Sequence, residues 1–268
     1  MFLTIPQILS RAADRDPGGT WLRTDDGELT FAGAASRVAA TAQALRHAGV
    51  RRGDLVVVTT RTTPPYLLCW LALAALGAVT VPTNPQSTPA ELAGLVRQTR
   101  PRALITDHGV APRVVEGGDP AGSLPRAGSA VGDGPDLGVL DVQEAVGDWT
   151  RPEETGDELP TAVGPDDLAV LIPTSGTTGR SKLVMQTHRA YAMAGEGFPY
   201  WLELTASDRL MTSLPLFHIN APAYSVMGSL ACGAGLVLLP RFSASGFLDS
   251  ARRHGATEIG RASCRERV

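Results

Sequence analysis

The chain has 268 residues, 43% of them hydrophobic and 19% charged, enough for one or two globular domains around a substantial core. Its formal net charge is −3, and short arginine pairs such as Arg51-Arg52 and Arg252-Arg253 stand near acids, so no basic field favours nucleic acid or an anionic membrane. The three cysteines, Cys69, Cys232 and Cys264, are too far apart for a metal-ligand set or a disulfide framework, which fits a reducing cytoplasm.

The N-terminal stretch MFLTIPQILSRAADRDP has no basic segment leading into a long apolar run, and reads as a short amphipathic helix rather than a signal peptide. Thr30 is placed to cap a helix whose Ala35, Val38, Ala42 and Leu45 share one face. Gly49 stops that helix, and Gly53-Asp54 turns the chain into a strand over Leu55–Thr60. Further strands are expected over Ala78–Pro82, Ala103–Thr106, Leu168–Ile172 and Leu236–Leu239. Helices are expected over Pro64–Leu76, Pro89–Arg97, His188–Gly197, Ala221–Ala231 and Ser243–His254. Strands alternating with helices predict an α/β fold with mixed, largely parallel sheets and flanking helices.

Two uncharged stretches, Thr62–Ala90 and Ile219–Pro240, are broken by proline or glycine, and their apolar parts are too short for stable membrane insertion. Residues 112–165 are rich in Gly, Pro, Asp and Glu. They read as a surface excursion, with Leu137–Val142 as an edge strand, or alternatively as a domain linker. From Glu258 the ending EIGRASCRERV resembles the translation of a widely used sequencing adapter. Residues 258–268 are therefore expected to be a non-native tail, the alternative being a genuine polar, basic segment.

The chemistry is concentrated in LIPTSGTTGRSKLVMQTH, Leu171 to His188. A buried strand empties there into hydroxyls and glycines followed by a lysine. Thr174, Ser175, Thr177 and Thr178 offer hydroxyl donors, Gly176 and Gly179 let backbone N–H groups converge on one ligand, and Lys182 adds a point charge. Several charge-assisted hydrogen bonds of roughly 1.5–3 kcal/mol each suit a polyphosphate. A Walker-type loop is excluded because Ser181-Lys182-Leu183 stands where Gly-Lys-Ser/Thr is needed. A hydrolase nucleophile elbow is excluded because Pro173 precedes Ser175 by two residues. Read without the phosphate, the segment is a Gly/Ser/Thr-rich surface loop.

Thr174 to Lys182 resembles the signature of the adenylate-forming superfamily of acyl-CoA synthetases, nonribosomal adenylation domains and luciferases, with Ser181 for the usual proline and Leu183 for the usual glycine. The resemblance continues in Gly49–Asp54, in Leu76-Gly77-Ala78-Val79 through Pro82-Thr83-Asn84-Pro85, and in SLPLFHINA, Ser213 to Ala221. It covers most of 1–257, and around Pro215 to Ala244 it is most similar to carnitine/crotonobetaine-type CoA ligases. The resemblance implies that 1–257 is an incomplete large N-terminal domain of the acyl-adenylate-forming fold. It implies ATP phosphates held by Thr174, Ser175, Gly176, Thr177, Thr178, Gly179 and Lys182. His218 would sit between the acyl and nucleotide pockets, with Phe217, Asn220 and Tyr224 lining the acyl side.

The reaction so implied activates a carboxylic acid with ATP and Mg²⁺ and transfers it to coenzyme A. The family's adenine-binding segment, Mg²⁺-binding glutamate, ribose-binding aspartate and C-terminal lid domain with its catalytic lysine have no counterpart in the sequence. The chain by itself is therefore expected not to catalyse adenylation, and neither a catalytic residue nor a metal ligand is assigned. A carrier-protein-loading adenylation domain and a non-catalytic nucleotide-binding remnant are the alternatives. The sequence leaves oligomeric state open.

Overall fold

The computed structural model describes residues 3–107, 138–151, 158–174 and 182–260. Eleven strands within these residues form two sheets. The six-stranded sheet has the order β6-β5-β3-β4-β7-β8, with β3 at Leu55–Thr59, β4 at Val79–Pro82, β5 at Ala103–Thr106, β6 at Gly138–Asp141, β7 at Leu168–Thr174 and β8 at Lys182–Thr187. The five-stranded sheet has the order β11-β9-β10-β1-β2, with β1 at Thr20–Thr24, β2 at Gly27–Thr30, β9 at Arg209–Thr212, β10 at Gly235–Leu238 and β11 at Glu258–Ile259. Each sheet is parallel except for one antiparallel edge strand, β8 in the first and β2 in the second. The expected α/β architecture is what the chain adopts.

The strand period of two sorts side chains onto opposite faces. In β3, Val56 and Val58 face the main core while Val57 faces a second cluster with Val79, Val81, Leu104 and Leu171. Helix α4 (Pro89–Thr99) covers that second face with Leu92 and Leu95. In β10, Leu236 and Leu238 face the main core, and Val237 faces a third cluster beneath helix α8 (Phe247–His254). The main core between the sheets is filled by α1 (Ile5–Arg15), α2 (Phe31–His47), α3 (Pro64–Leu76), α5 (Val142–Val146) and α6 (His188–Leu202). Helix α3 is buried on all sides, with twelve of its 13 residues inside. No helix among the described residues is long and apolar enough to cross a membrane.

Local signals explain most boundaries. Thr30 Oγ1 accepts from the Gly33 N–H at 3.0 Å and caps α2. Gly49 and Gly53 take φ of +96° and +83°, backbone that favours glycine, and bring the chain from α2 into β3. Arg15 donates to the carbonyls of Leu230 and Ala231 at 3.1 Å each, tying α1 to the end of helix α7 (Met227–Cys232).

Several expectations need correction. The helix expected over Ala221–Ala231 splits into a π-helical turn at Ala221–Val226 and α7, because the Met227 N–H reaches back to Pro222. The helix expected from Ser243 begins at Phe247, since Gly246 bonds back to Ser243 in a turn. Within 112–165, residues 112–137 and 152–157 lie outside the described residues. The described part does not stay at the surface. Gly138–Asp141 is an edge strand pairing with β5, and Val142, Val146 and Trp149 are buried. Glu258 and Ile259 pair in parallel with Leu210 and Met211, their side chains exposed, and residues 261–268 lie outside the described residues.

His188, the first residue of α6, is completely buried, and its Nδ1 accepts from the Ile5 N–H at 3.4 Å. Burial, with a smaller contribution from the Arg52 charge, pushes its pKa down from 6.5 to about 4, against the pull of Asp167. The imidazole is therefore neutral in the folded chain, and between pH 6.5 and 4 the unfolded chain binds the extra proton. Stability from this residue is present above pH 6.5 and is lost as pH falls toward 4, by at most about 3 kcal/mol. Urea unfolding at pH 7 and pH 4.5 should show a smaller stability difference for His188→Gln than for the unchanged chain. An equal difference would remove His188 as the cause.

Candidate functional site

The parallel strands of both sheets point their carboxyl ends at the same region, the usual place for a ligand in an open α/β sheet. Strand β3 leads to Arg61–Thr63, β4 to Thr83-Asn84, β5 to Asp107, β9 to Ser213–Pro215 and β10 to Pro240–Phe242. Two adjoining clefts open there. The smaller, about 350 Å³, is bounded by Pro82, Asn84, Glu91, Thr174, Phe217 and His218. The larger, about 1280 Å³, is bounded by Arg61, Gln86, Asp107, Ser213, Arg241 and Phe242, and shares Asn84, Ser87, Leu92 and Phe217 with the first.

Thr174 and Lys182 are the last and first residues of β7 and β8 and face each other across the ladder, with Thr174 Oγ1 donating to the Lys182 carbonyl at 3.3 Å. Because β7 runs parallel to β4, the chain leaves the sheet at Thr174 beside Pro82 and Asn84, at the carboxyl edge. Ser175, Gly176, Thr177, Thr178, Gly179 and Ser181 lie outside the described residues. Leu183 is a strand residue opposite Pro173, and its half-buried side chain packs on the second cluster, under the sheet. That accounts for a large apolar residue at a position where the family signature has glycine.

Phe217 is half-buried and borders both clefts, while the exposed His218 borders the smaller. Their rings lie 4.5 Å apart between centroids, tilted by 43°. Asn220 stands just before the π-helical turn and makes no capping bond. Tyr224, 37% exposed, packs on Phe198 of α6 at 5.6 Å. Neither borders the two clefts. The structure thus brings Thr174, Phe217 and His218 together and puts Asn220 and Tyr224 to one side.

Other residues at the site were given no functional role by the sequence. Asp107, almost fully buried, accepts from the Arg61 backbone N–H at 3.0 Å and from Arg61 Nε at 3.2 Å, which holds an exposed guanidinium at the rim of the larger cleft. Asn84 Oδ1 accepts from the Gln86 N–H at 2.9 Å and fixes the turn after β4. The Pro82-Thr83-Asn84-Pro85 segment that contains it carried the family resemblance but was given no role at a cleft. The Leu216 N–H donates to Thr62 Oγ1 at 3.1 Å, and the Tyr66 hydroxyl donates to the Leu216 carbonyl at 3.3 Å. Burial pushes the Tyr66 phenol well above its usual range, so it stays protonated and able to donate. Among the described residues no three His, Cys, Asp or Glu side chains come together to hold a metal ion.

The seat of Leu183 carries a measurable consequence. Leu183→Gly removes its contact with the second cluster and adds chain entropy, and should lower stability by about 1–2 kcal/mol in urea unfolding. An unchanged midpoint would show that this packing contributes nothing.

Comparison with known proteins follows the same lines. The AMP-binding enzyme family matches residues 9–260. A crotonobetaine/carnitine–CoA ligase from Salmonella arizonae is 30% identical over 224 residues, covering 81% of this chain and 42% of that protein. The N-terminal domain of FACL13 from Mycobacterium tuberculosis, solved with an inhibitor, superposes with a TM-score of 0.81 at 23% identity, covering 96% of this chain and 62% of that one. NpsA-ThdA, an artificially fused Adenylation-PCP di-domain NRPS from Klebsiella oxytoca, superposes with a TM-score of 0.76 at 23% identity over 97% of this chain and 47% of that one. These two likenesses concern the fold. The chain spans less than half the length of the curated relative it matches. With the family match running over nearly its whole length, the chain belongs to the AMP-binding enzyme family.

Proposed function

We propose that this chain is part of an ATP-dependent ligase that activates a carboxylic acid as an acyl-adenylate and passes the acyl group to coenzyme A. In the first half-reaction a carboxylate oxygen attacks the α-phosphorus of ATP and pyrophosphate leaves. In the second, the thiol sulfur attacks the acyl carbon and AMP leaves. Both reactants of the first step are anions, so the protein's task is to position them and offset their charge.

The observation that carries this reading is the β7–β8 pair, which closes at Thr174 and Lys182 on the carboxyl edge of a parallel sheet beside Phe217 and His218. On this reading Thr174 to Lys182 holds the β- and γ-phosphates, Lys182 supplying a positive charge to the departing pyrophosphate. Phe217 and His218 stand between nucleotide and acid. The larger cleft, with Arg61 and Arg241 at its rim, suits the anionic carrier of the thiol. Mg²⁺ would offset phosphate charge when bound. Coenzyme A is favoured over a carrier protein because the relative at 30% identity is a CoA ligase. Asn220 and Tyr224 are kept in this reading as residues of the acyl side. A cytoplasmic setting is part of the same reading and rests on the widely spaced cysteines.

ATP binding by calorimetry tests the assignment. In the complete ligase, Lys182→Ala should weaken ATP binding by roughly ten- to a hundredfold, the loss of one charge-assisted contact. Equal affinity in the two proteins would contradict the phosphate role of Thr174 to Lys182.

A further inference from the structure

Leu216 is held from three directions. Its N–H donates to Thr62 Oγ1 at 3.1 Å, its carbonyl accepts from the Tyr66 hydroxyl at 3.3 Å, and its side chain, 2% exposed, sits in the main core. Thr62 and Tyr66 belong to the β3–α3 connection and the first turn of α3, 154 and 150 residues away in sequence. Both bonds therefore cross from the layer of the six-stranded sheet to the segment that follows β9 of the other sheet. The residues that come next are Phe217 and His218.

The local backbone makes this anchorage consequential. The His218 N–H bonds to the Pro215 carbonyl at 3.1 Å, so Pro215 to His218 form a turn with Leu216 and Phe217 at its centre. A turn attached by one bond can pivot about it. One whose second residue has both N–H and C=O fixed, and whose first residue has φ locked by proline, cannot. The chemistry of the anchors argues the same way. Tyr66 is 1% exposed among apolar neighbours of α3, where a phenyl ring would fill the space without a polar atom to satisfy. Its hydroxyl is compensated by the Leu216 carbonyl.

We propose that Thr62 and Tyr66 are positioning residues, which set where the Phe217 and His218 side chains stand in the cleft by fixing both backbone groups of Leu216. The proposal deepens the reading of Phe217 and His218 as pocket walls and rests on it for its functional meaning. The geometry itself is open to test without any ligand.

The test is nuclear magnetic resonance of the histidine rings in the 268-residue chain, with Tyr66→Phe, Thr62→Val and Thr62→Ser, and Val38→Ala as a core change on α2 that removes neither bond to Leu216. The Phe217 ring, 4.5 Å away, displaces the His218 resonances from their free-imidazole positions. Tyr66→Phe and Thr62→Val should each move them back toward those positions. Thr62→Ser, which keeps the hydroxyl, should restore them, and Val38→Ala should leave them in place. Thr62→Val should also speed exchange of the Leu216 amide by roughly tenfold, with Thr62→Ser returning it toward the original rate. His218 resonances that coincide in all variants would overturn the proposal, whatever happens to melting temperature. Should Tyr66→Phe fail to fold, the Thr62→Val and Thr62→Ser pair decides by itself. Adding ATP to the complete ligase separates the two readings. If ATP leaves His218 undisturbed while the variants displace it, the pocket assignment fails and the positioning role stands.

Discussion

The burial of α3 is the constraint from which the arrangement follows. A helix that reads PPYLLCWLALAAL has no polar face to give to water, so it is stable only where neighbours enclose it. The enclosure is made by β4 together with α1, α2 and α5, and their combined packing joins the two sheets into one main core. With α3 seated there, its first turn is delivered to the carboxyl ends of the strands. Thr63 caps that turn by accepting from the Tyr66 N–H, and Thr62 and Tyr66 then reach the Leu216 backbone. A residue sequence with no chemistry of its own thereby decides where the clefts open and what borders them.

The two sheets solve their edges alike. Each ends in an antiparallel strand, β2 or β8, folded back from its neighbour. In one sheet the pairing closes on Thr174 and Lys182, at the same edge where β4 delivers Asn84 and where Asp107 pins Arg61. The buried Asp107 carboxylate bonds to both a backbone N–H and the guanidinium of Arg61. The bonds that compensate its burial thus also hold a cation facing the larger cleft. Cationic and hydroxyl groups accordingly gather at one end of a parallel sheet, where the strands end and the two clefts open.

The sequence was most informative where periodicity and stop signals coincide. Pro64 to Leu76 is legible to the residue because proline starts it, glycine ends it and every position between is apolar. Ala103–Thr106 is likewise a short β-branched run between turn residues. Strands β1, β2, β8, β9 and β11 were not expected. Lys182–Thr187 is an edge strand with half of its residues exposed and none fully buried, so no alternation marks it, and Arg209–Thr212 is four residues flanked by a polar turn. Of the site, the stretch from Thr174 to Lys182 announces itself through local composition, and Phe217 and His218 through their motif. Thr62, Tyr66, Arg61 and Asp107 are silent in the sequence because each acts through a partner far along the chain. A threonine before a helix looks like a second cap, and a tyrosine inside an apolar helix looks like core.

The central claim is that the chain between β7 and β8 grips the terminal phosphates of a nucleotide. The most direct measurement is a crystal structure of the protein with ATP bound. The account predicts β- or γ-phosphate oxygens within hydrogen-bond distance, about 3 Å, of Thr174 Oγ1 and Lys182 Nζ, with the nucleotide alongside Phe217 and His218. A nucleotide seated away from the carboxyl edge of β7, with Thr174 and Lys182 touching no phosphate, would contradict it.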